Sequence, residues 1–233
     1  MKIQSLFPLV ALAFVAGCHG DGSGYVPVPP PKVDPANVKP GEETTLMPIA
    51  VGNQWTYEFE TLVRDNRAQQ KTKGEITFKV VNVEQTADGK KADLEVWAKD
   101  KLQDKQVWLV GPKGVYKVSS GIKTVTTFIP PSPIILFPLD KYKTFTWQGT
   151  GGKVNRTASS TIRVGEEIDT DEKRYSAVAV ETKGINSNGK IVQRTDETNW
   201  LVPGVGLVRN RISTVSPTSA SEMLIKLKSH TLK

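Results

Sequence analysis

NQWTYEFE, residues 53–60, alternates without a break. Trp55, Tyr57 and Phe59 fall on one side of an extended chain, and Gln54, Thr56, Glu58 and Glu60 on the other. That period of two marks a half-buried antiparallel strand, and from residue 45 onward no stretch shows a convincing helical period. EITFKVVNVE and ADLEVWAKD flank TADGKK, where Asp88-Gly89 predicts a tight hairpin turn. YSAVAVETKGI and IVQRTDETNWLV flank NSNG, where Asn188-Gly189 predicts a second one. Near the end, Met223, Ile225 and Leu227 alternate with Glu222, Leu224, Lys226 and Lys228. The pattern predicts an all-β domain, an antiparallel meander of about 10–11 strands forming a strongly curved sheet or a barrel.

The domain reads as two similar halves of about 90 residues, 45–134 and 135–233. LMPIAVGNQWTY at Leu46 aligns with LFPLDKYKTFTW at Leu136, an offset of 90 that pairs Trp55-Thr56-Tyr57 with Phe145-Thr146-Trp147. WLVGPKGVYK and WLVPGVGLVR align at an offset of 92, pairing Trp108 with Trp200, Gly114 with Gly206 and Lys117 with Arg209. In each half a strand ends in Trp-Leu-Val, the chain turns, and a strand resumes after a glycine. Glycine supplies positive φ and proline presets the first bend, so Gly114, Pro203, Gly204 and Gly206 read as structural turn residues. FIPPSPIILFPL, residues 128–139, carries four prolines in an uncharged apolar run. Prolines forbid central-strand pairing, so this run is expected to be a loop, edge or crossover that joins the halves and folds over the sheet. Its functional alternative is a hydrophobic lip.

GNQWTYE at Gly52–Glu58 and WLVPGVGLVR together resemble an uncharacterised family of exported bacterial β-proteins. These open on a Pro-x-x-x-Gly-x-x-Trp-x-Tyr strand and close on a Trp-x-x-Pro-Gly-Val-Gly-x-Val turn. The resemblance spans residues 46 to about 231, with only its two ends distinctive, and implies export and a curved antiparallel sheet without specifying chemistry. By fold-level analogy it stands near envelope carriers that cradle lipid in a half-barrel.

The amino terminus predicts where the protein goes. Lys2 precedes an apolar stretch from Leu6 to Val15, too short for the ~20 residues of a membrane span and suited to a secretory signal. VAGC, residues 15–18, resembles a bacterial lipoprotein signal, and Cys18 is the only cysteine of the chain. Residues 1–17 are therefore expected to be removed and Cys18 acylated, anchoring the protein to a membrane surface. His19 rather than aspartate after the cysteine favours the outer membrane, facing the periplasm or the surface, if the cell is Gram-negative. Residues 18–44 hold six of the fifteen prolines and read as a tether. Without any disulfide, the domain 45–233 must hold together by its core, for which about 190 residues suffice.

The composition says more about exclusions than about chemistry. The chain carries 31 basic and 24 acidic residues, a net charge of +7. Its lysines are dispersed and it is exported, so nucleic acid is not an expected partner. Its histidines are His19, in the tether, and His230, near the end. With the thiol committed to lipid, no Cys-His or zinc site and no cofactor is expected, and no Gly-x-Ser-x-Gly elbow appears. Glu166, Glu167, Asp169, Asp171 and Glu172 lack the spacing of a calcium loop and read as a solvated hairpin tip. Gly149–Gly152 lacks the Gly-Lys-Ser of a phosphate loop. No catalytic or metal site is predicted. The leading expectation is a non-enzymatic envelope lipoprotein whose sheet binds or carries an apolar or amphiphilic ligand. Candidate ligand-face aromatics are Trp55, Tyr57, Phe59, Phe145 and Trp147. The alternative is a structural or assembly lipoprotein with a filled core that binds an envelope protein.

Overall fold

The computed structural model describes residues 38–65, 68–171 and 173–233. The signal, Cys18, most of the tether and Glu172 lie outside the described residues. Among the described residues the alternating stretches become twelve strands. The first six are β1 (Gln54–Asp65), β2 (Gln69–Thr86), β3 (Gly89–Ala98), β4 (Lys101–Gly111), β5 (Gly114–Ser120) and β6 (Thr126–Leu136). The second six are β7 (Thr144–Gly151), β8 (Val154–Asp169), β9 (Arg174–Ser187), β10 (Val192–Val202), β11 (Gly206–Val215) and β12 (Ser219–Thr231). Each strand pairs antiparallel with the next and β12 returns to β1, which closes the barrel and leaves no free edge.

The strand hidden from the sequence reading is β6. Its prolines did not make a loop or a plug, because β5 pairs with it along most of its length, from Gly114↔Leu136 to Ser120↔Thr126. Towards β7 it pairs only through Phe128↔Gly151 and Ile129↔Thr150. Pro130, Pro131 and Pro133 have no N–H to donate, so the seam between β6 and β7 is the least bonded line of the wall.

Hairpins alternate between the two ends of a meander, and here the ends differ. At one end a short 3-10 helix, Glu43–Leu46, fills the opening and buries Leu46, with Met47, Ile49 and Phe137 beside it. The packed chain thus begins a little before residue 45, since Glu43 is itself buried and Val38 packs against the core. The amide of Gly204 donates to the Thr45 carbonyl at 2.8 Å. Asn53 ties both ends of the domain together: its amide nitrogen donates to the Pro48 carbonyl at 2.9 Å, and its carbonyl oxygen accepts from the Lys233 amide at 2.9 Å. Trp55 is fully buried beneath this plug and donates from Nε1 to the Val205 carbonyl at 2.6 Å. Tyr57, also buried, donates to the Leu207 carbonyl at 2.9 Å and meets the Phe78 ring edge-on at 5.3 Å. Val80, Leu94, Val115, Val178, Val180 and Leu227 complete an apolar core around them. Both described termini lie at this closed end.

Candidate functional site: the hollow half of the barrel

A cavity of about 570 Å³ occupies the other half of the barrel, within the range of sites that enclose one small ligand. Strand alternation delivers its lining. From β2 come Ile76 and Phe78, from β4 Trp108, from β6 Phe128, from β7 Phe145 and Trp147, and from β11 and β12 Ile212, Met223 and Ile225. Polar side chains interrupt it: Gln106 of β4, and across the barrel Asn186, Thr195, Glu197, Asn199 and Asn210 of β9–β11, face the same space.

Those polar groups are organised. Asn210 Nδ2 donates to Asn199 Oδ1 at 2.8 Å and to Glu197 Oε1 at 2.9 Å, and Asn199 Nδ2 donates to the same carboxylate at 3.2 Å. On β4, Trp108 Nε1 donates to Gln106 Oε1 at 2.9 Å and Gln106 Nε2 to Asp104 Oδ2 at 2.8 Å. The Gly121 amide donates to the other Asp104 oxygen at 2.8 Å. Both carboxylates near the cavity therefore already hold neutral donors.

Two cations line the same space and are treated differently. Lys117 of β5 lines the cavity, and among the described residues it forms no ion pair or hydrogen bond. Burial pushes its ammonium below the ordinary lysine range; the fields of Glu197 and Asp104 oppose that, and Arg156 adds to it. Arg156 of β8 folds across Gly151, where a Cβ would stand 2.8 Å from its Nε, and lies over the Phe128 ring at 5.0 Å. Burial lowers the pKa of this guanidinium too, and its Nε has no hydrogen-bond partner among the described residues. Trp147 Nε1 is likewise buried without one.

The open end is rimmed by the turns that follow β1, β3, β5, β7, β9 and β11. Val63, Ile122, Val125, Ile191, Val192 and Val215 stand there 40–59% exposed. Lys99, Lys101, Lys123, Lys153 and Lys190 are exposed in the same turns, against Asp65 and Asp100. Branched aliphatics exposed together at one end mark an interaction surface more than scattered ones do.

The residues singled out from sequence divide by depth. Phe145 and Trp147 line the cavity. Trp55 and Tyr57 do not: they share its side of the wall but lie in the filled end. Phe59 packs over Gly74 and edges an outer groove with Glu58, Glu60 and Lys73. Gly114, Gly204 and Gly206 hold φ of +147°, +72° and +98° in the closed-end turns, with Pro203 beside them. The aligned hairpins are not equivalent in facing. Trp108 and its cross-strand partner Lys117 line the cavity. In the other hairpin Asn199 and Asn210 do so, and the adjacent Trp200, itself buried, lies with the Arg209 guanidinium 5.0 Å over its indole. Among the acidic residues of 166–172, Glu166 pairs with Arg163 at 3.3 Å and Asp169 with Arg174 at 2.7 Å. No cluster of metal-ligating side chains occurs among the described residues. His230 stands opposite Trp55 in register, at the closed end.

No family model and no curated protein matches this chain by sequence. Among solved structures it is similar to a protein named as a lipoprotein from Parabacteroides distasonis, at 14% identity and a TM-score of 0.43, covering 78% of this chain and 98% of the other. An exported protein with YmcC-like fold from Bacteroides fragilis aligns at 10% identity and a TM-score of 0.39, covering 79% and 98%. An outer membrane lipoprotein-sorting protein domain from Vibrio parahaemolyticus aligns at 9% identity and a TM-score of 0.26, covering 83% and 90%. At TM-scores below 0.5 these likenesses are too distant to carry function across.

Proposed function

We propose that this protein is a non-enzymatic lipoprotein of the bacterial envelope, anchored through acylated Cys18, whose barrel is a cup for one apolar or amphiphilic ligand. The observation that carries the reading is the cavity of about 570 Å³, lined by aromatic and aliphatic side chains together with polar ones. The described chain begins at the closed end of the barrel. The aliphatic rim suits the passage of a ligand to or from an apolar surface. It also favours a second reading, in which the mouth docks on another envelope protein.

Native mass spectrometry of the protein extracted from its own membranes tests the cup. The expected spectrum holds a discrete mass above the acylated chain that organic extraction removes; the acylated chain alone, with no uptake of added single-chain lipid, refutes it. For the anchor, Cys18→Ser is expected to abolish labelled palmitate incorporation. A Cys18→Ser chain that still incorporates the label refutes acylation at this residue.

A further inference from the structure

The cavity described above is not purely apolar, and its charges do not cancel internally. Lys117 and Arg156 face it from β5 and β8, on walls separated by β6 and β7. The carboxylate among its lining residues, Glu197, is committed to Asn199 and Asn210, and Asp104 to Gln106 and Gly121. Two cations against one lining carboxylate leave the lining one positive charge in excess. Burying a charge without a partner is costly, and wall residues that served only to fill space would be apolar. Nothing in the fold requires a cation here: Lys117 extends no ion-pair network, and Arg156 needs the bare backbone of Gly151 to reach its position over Phe128.

We infer that the cup takes a single-chain amphiphile with an anionic headgroup, its carboxylate or phosphate held between Lys117 and Arg156 and its chain lying against Phe78, Phe145, Trp147 and Met223. The inference rests on the reading of the cavity as a ligand site and adds to it the ligand's charge and orientation. Arg156 offers a planar fork of donors matched to carboxylate or phosphate, and Lys117 a compact point charge. The ligand thereby completes the electrostatics of a wall that is unbalanced without it.

The test compares binding of palmitate, its methyl ester, and an anionic monoacyl phospholipid of the same chain length to the full chain and to Lys117→Met and Arg156→Gln, followed by tryptophan fluorescence. The parent is expected to bind at least one of the two anionic lipids about ten- to hundredfold more tightly than the ester, the worth of a hydrogen-bonded charge. Palmitate against the phospholipid distinguishes carboxylate from phosphodiester. Each variant is expected to lose most of that preference while still binding the ester, and Lys117→Arg to keep it, which separates lost charge from lost fold. Equal binding of acid and ester by the parent, or a preference that survives both variants, overturns the inference and leaves the cup standing. Full displacement of bound palmitate by equimolar acetate or inorganic phosphate also overturns it, since the site then serves small anions. Binding of none of the lipids removes the cup reading itself.

Discussion

Gly114→Ala is expected to destabilise the protein far more than Gly206→Ala, although both glycines resume a strand after a turn in aligned sequence. Both hold positive φ, +147° and +98°, so each alanine incurs backbone strain of about 1–3 kcal/mol. The surroundings then separate them. A Cβ on Gly114 stands 2.3 Å from the Ile135 carbonyl oxygen and 3.1 Å from the Leu136 Cα. Both are backbone atoms of the strand it pairs with, and neither can swing aside. Relief requires β5 and β6 to part at Gly114↔Leu136, leaving buried amides unpaired at about 1–3 kcal/mol more. On Gly206 the nearest atoms are Trp55 Nε1 at 3.2 Å and Pro48 Cδ at 3.4 Å, which a shift of a few tenths of an ångström accommodates. The totals are about 2–6 kcal/mol for Gly114→Ala and about 1–3 kcal/mol for Gly206→Ala. Urea unfolding followed by tryptophan fluorescence reads both as midpoint shifts at constant slope. Equal midpoints for the two variants, or a larger loss at Gly206, refute the argument that backbone contact rather than φ decides the cost.

Three further outcomes follow from the same geometry. Lys117→Met is expected to stabilise the protein by about 0.5–2 kcal/mol at pH 7 while weakening ligand binding, as changes at strained functional positions do. Its folded pKa lies below the unfolded value, so the parent's penalty is full below the folded pKa and shrinks as pH rises towards about 10.4; the gap between variant and parent should narrow over that window. Measuring the difference cancels Tyr57, whose burial-raised pKa acts on both proteins alike; a gap that widens with pH contradicts the assignment. Phe145→Ala is expected to cost under about 3 kcal/mol because a hollow space already adjoins the ring, whereas Trp55→Ala should reach about 3–5 kcal/mol; thermal melts giving the reverse order place the void wrongly. Ile122→Asp with Ile191→Asp should slow lipid transfer from vesicles about tenfold or more while leaving affinity in detergent unchanged, if the exposed rim meets the donor surface; stopped-flow transfer at the parental rate excludes the rim as the entry surface.

Local pattern made the wall legible and left the interior illegible. NQWTYEFE alternates in sequence and supplies the start of β1, Asp88 falls in the β2–β3 turn with Gly89 opening β3, and Asn188-Gly189 falls in the β9–β10 turn. A period of two assigns a side chain to a face but says nothing about depth along the barrel axis. Trp55, Tyr57 and Phe145 therefore look equivalent, although two belong to the plugged end and one to the cavity. Bulges break the period as well. The irregularities between Val107 and Trp108 and between Trp200 and Leu201 accompany opposite facing in hairpins that sequence aligns residue for residue. Lys117 did leave a trace: it sits between Val115 and Ser119 on the alternation that is buried, as Arg156 precedes Ala158, Ser160 and Ile162 on theirs. A cation on a buried parity is a signal that strand alternation carries and residue type alone does not.

The unequal ends follow from strand number. About eight strands make a barrel whose own side chains just fill it, and each added strand widens the interior. Twelve strands therefore leave more space than inward residues can occupy, even residues as large as Trp55 and Tyr57. At the closed end the chain supplies extra material: the 3-10 helix, Met47, Ile49 and Phe137 enter the opening and dry it. No described segment does the same at the mouth. There the sequence places small and polar residues, Ala158, Ser160, Thr182 and Gly184, on inward positions that larger aliphatics would have closed. It adds two cations that oppose folding by their burial. Local choices that cost stability while keeping a space open are what a binding site requires, and a barrel selected only for packing gains nothing from them.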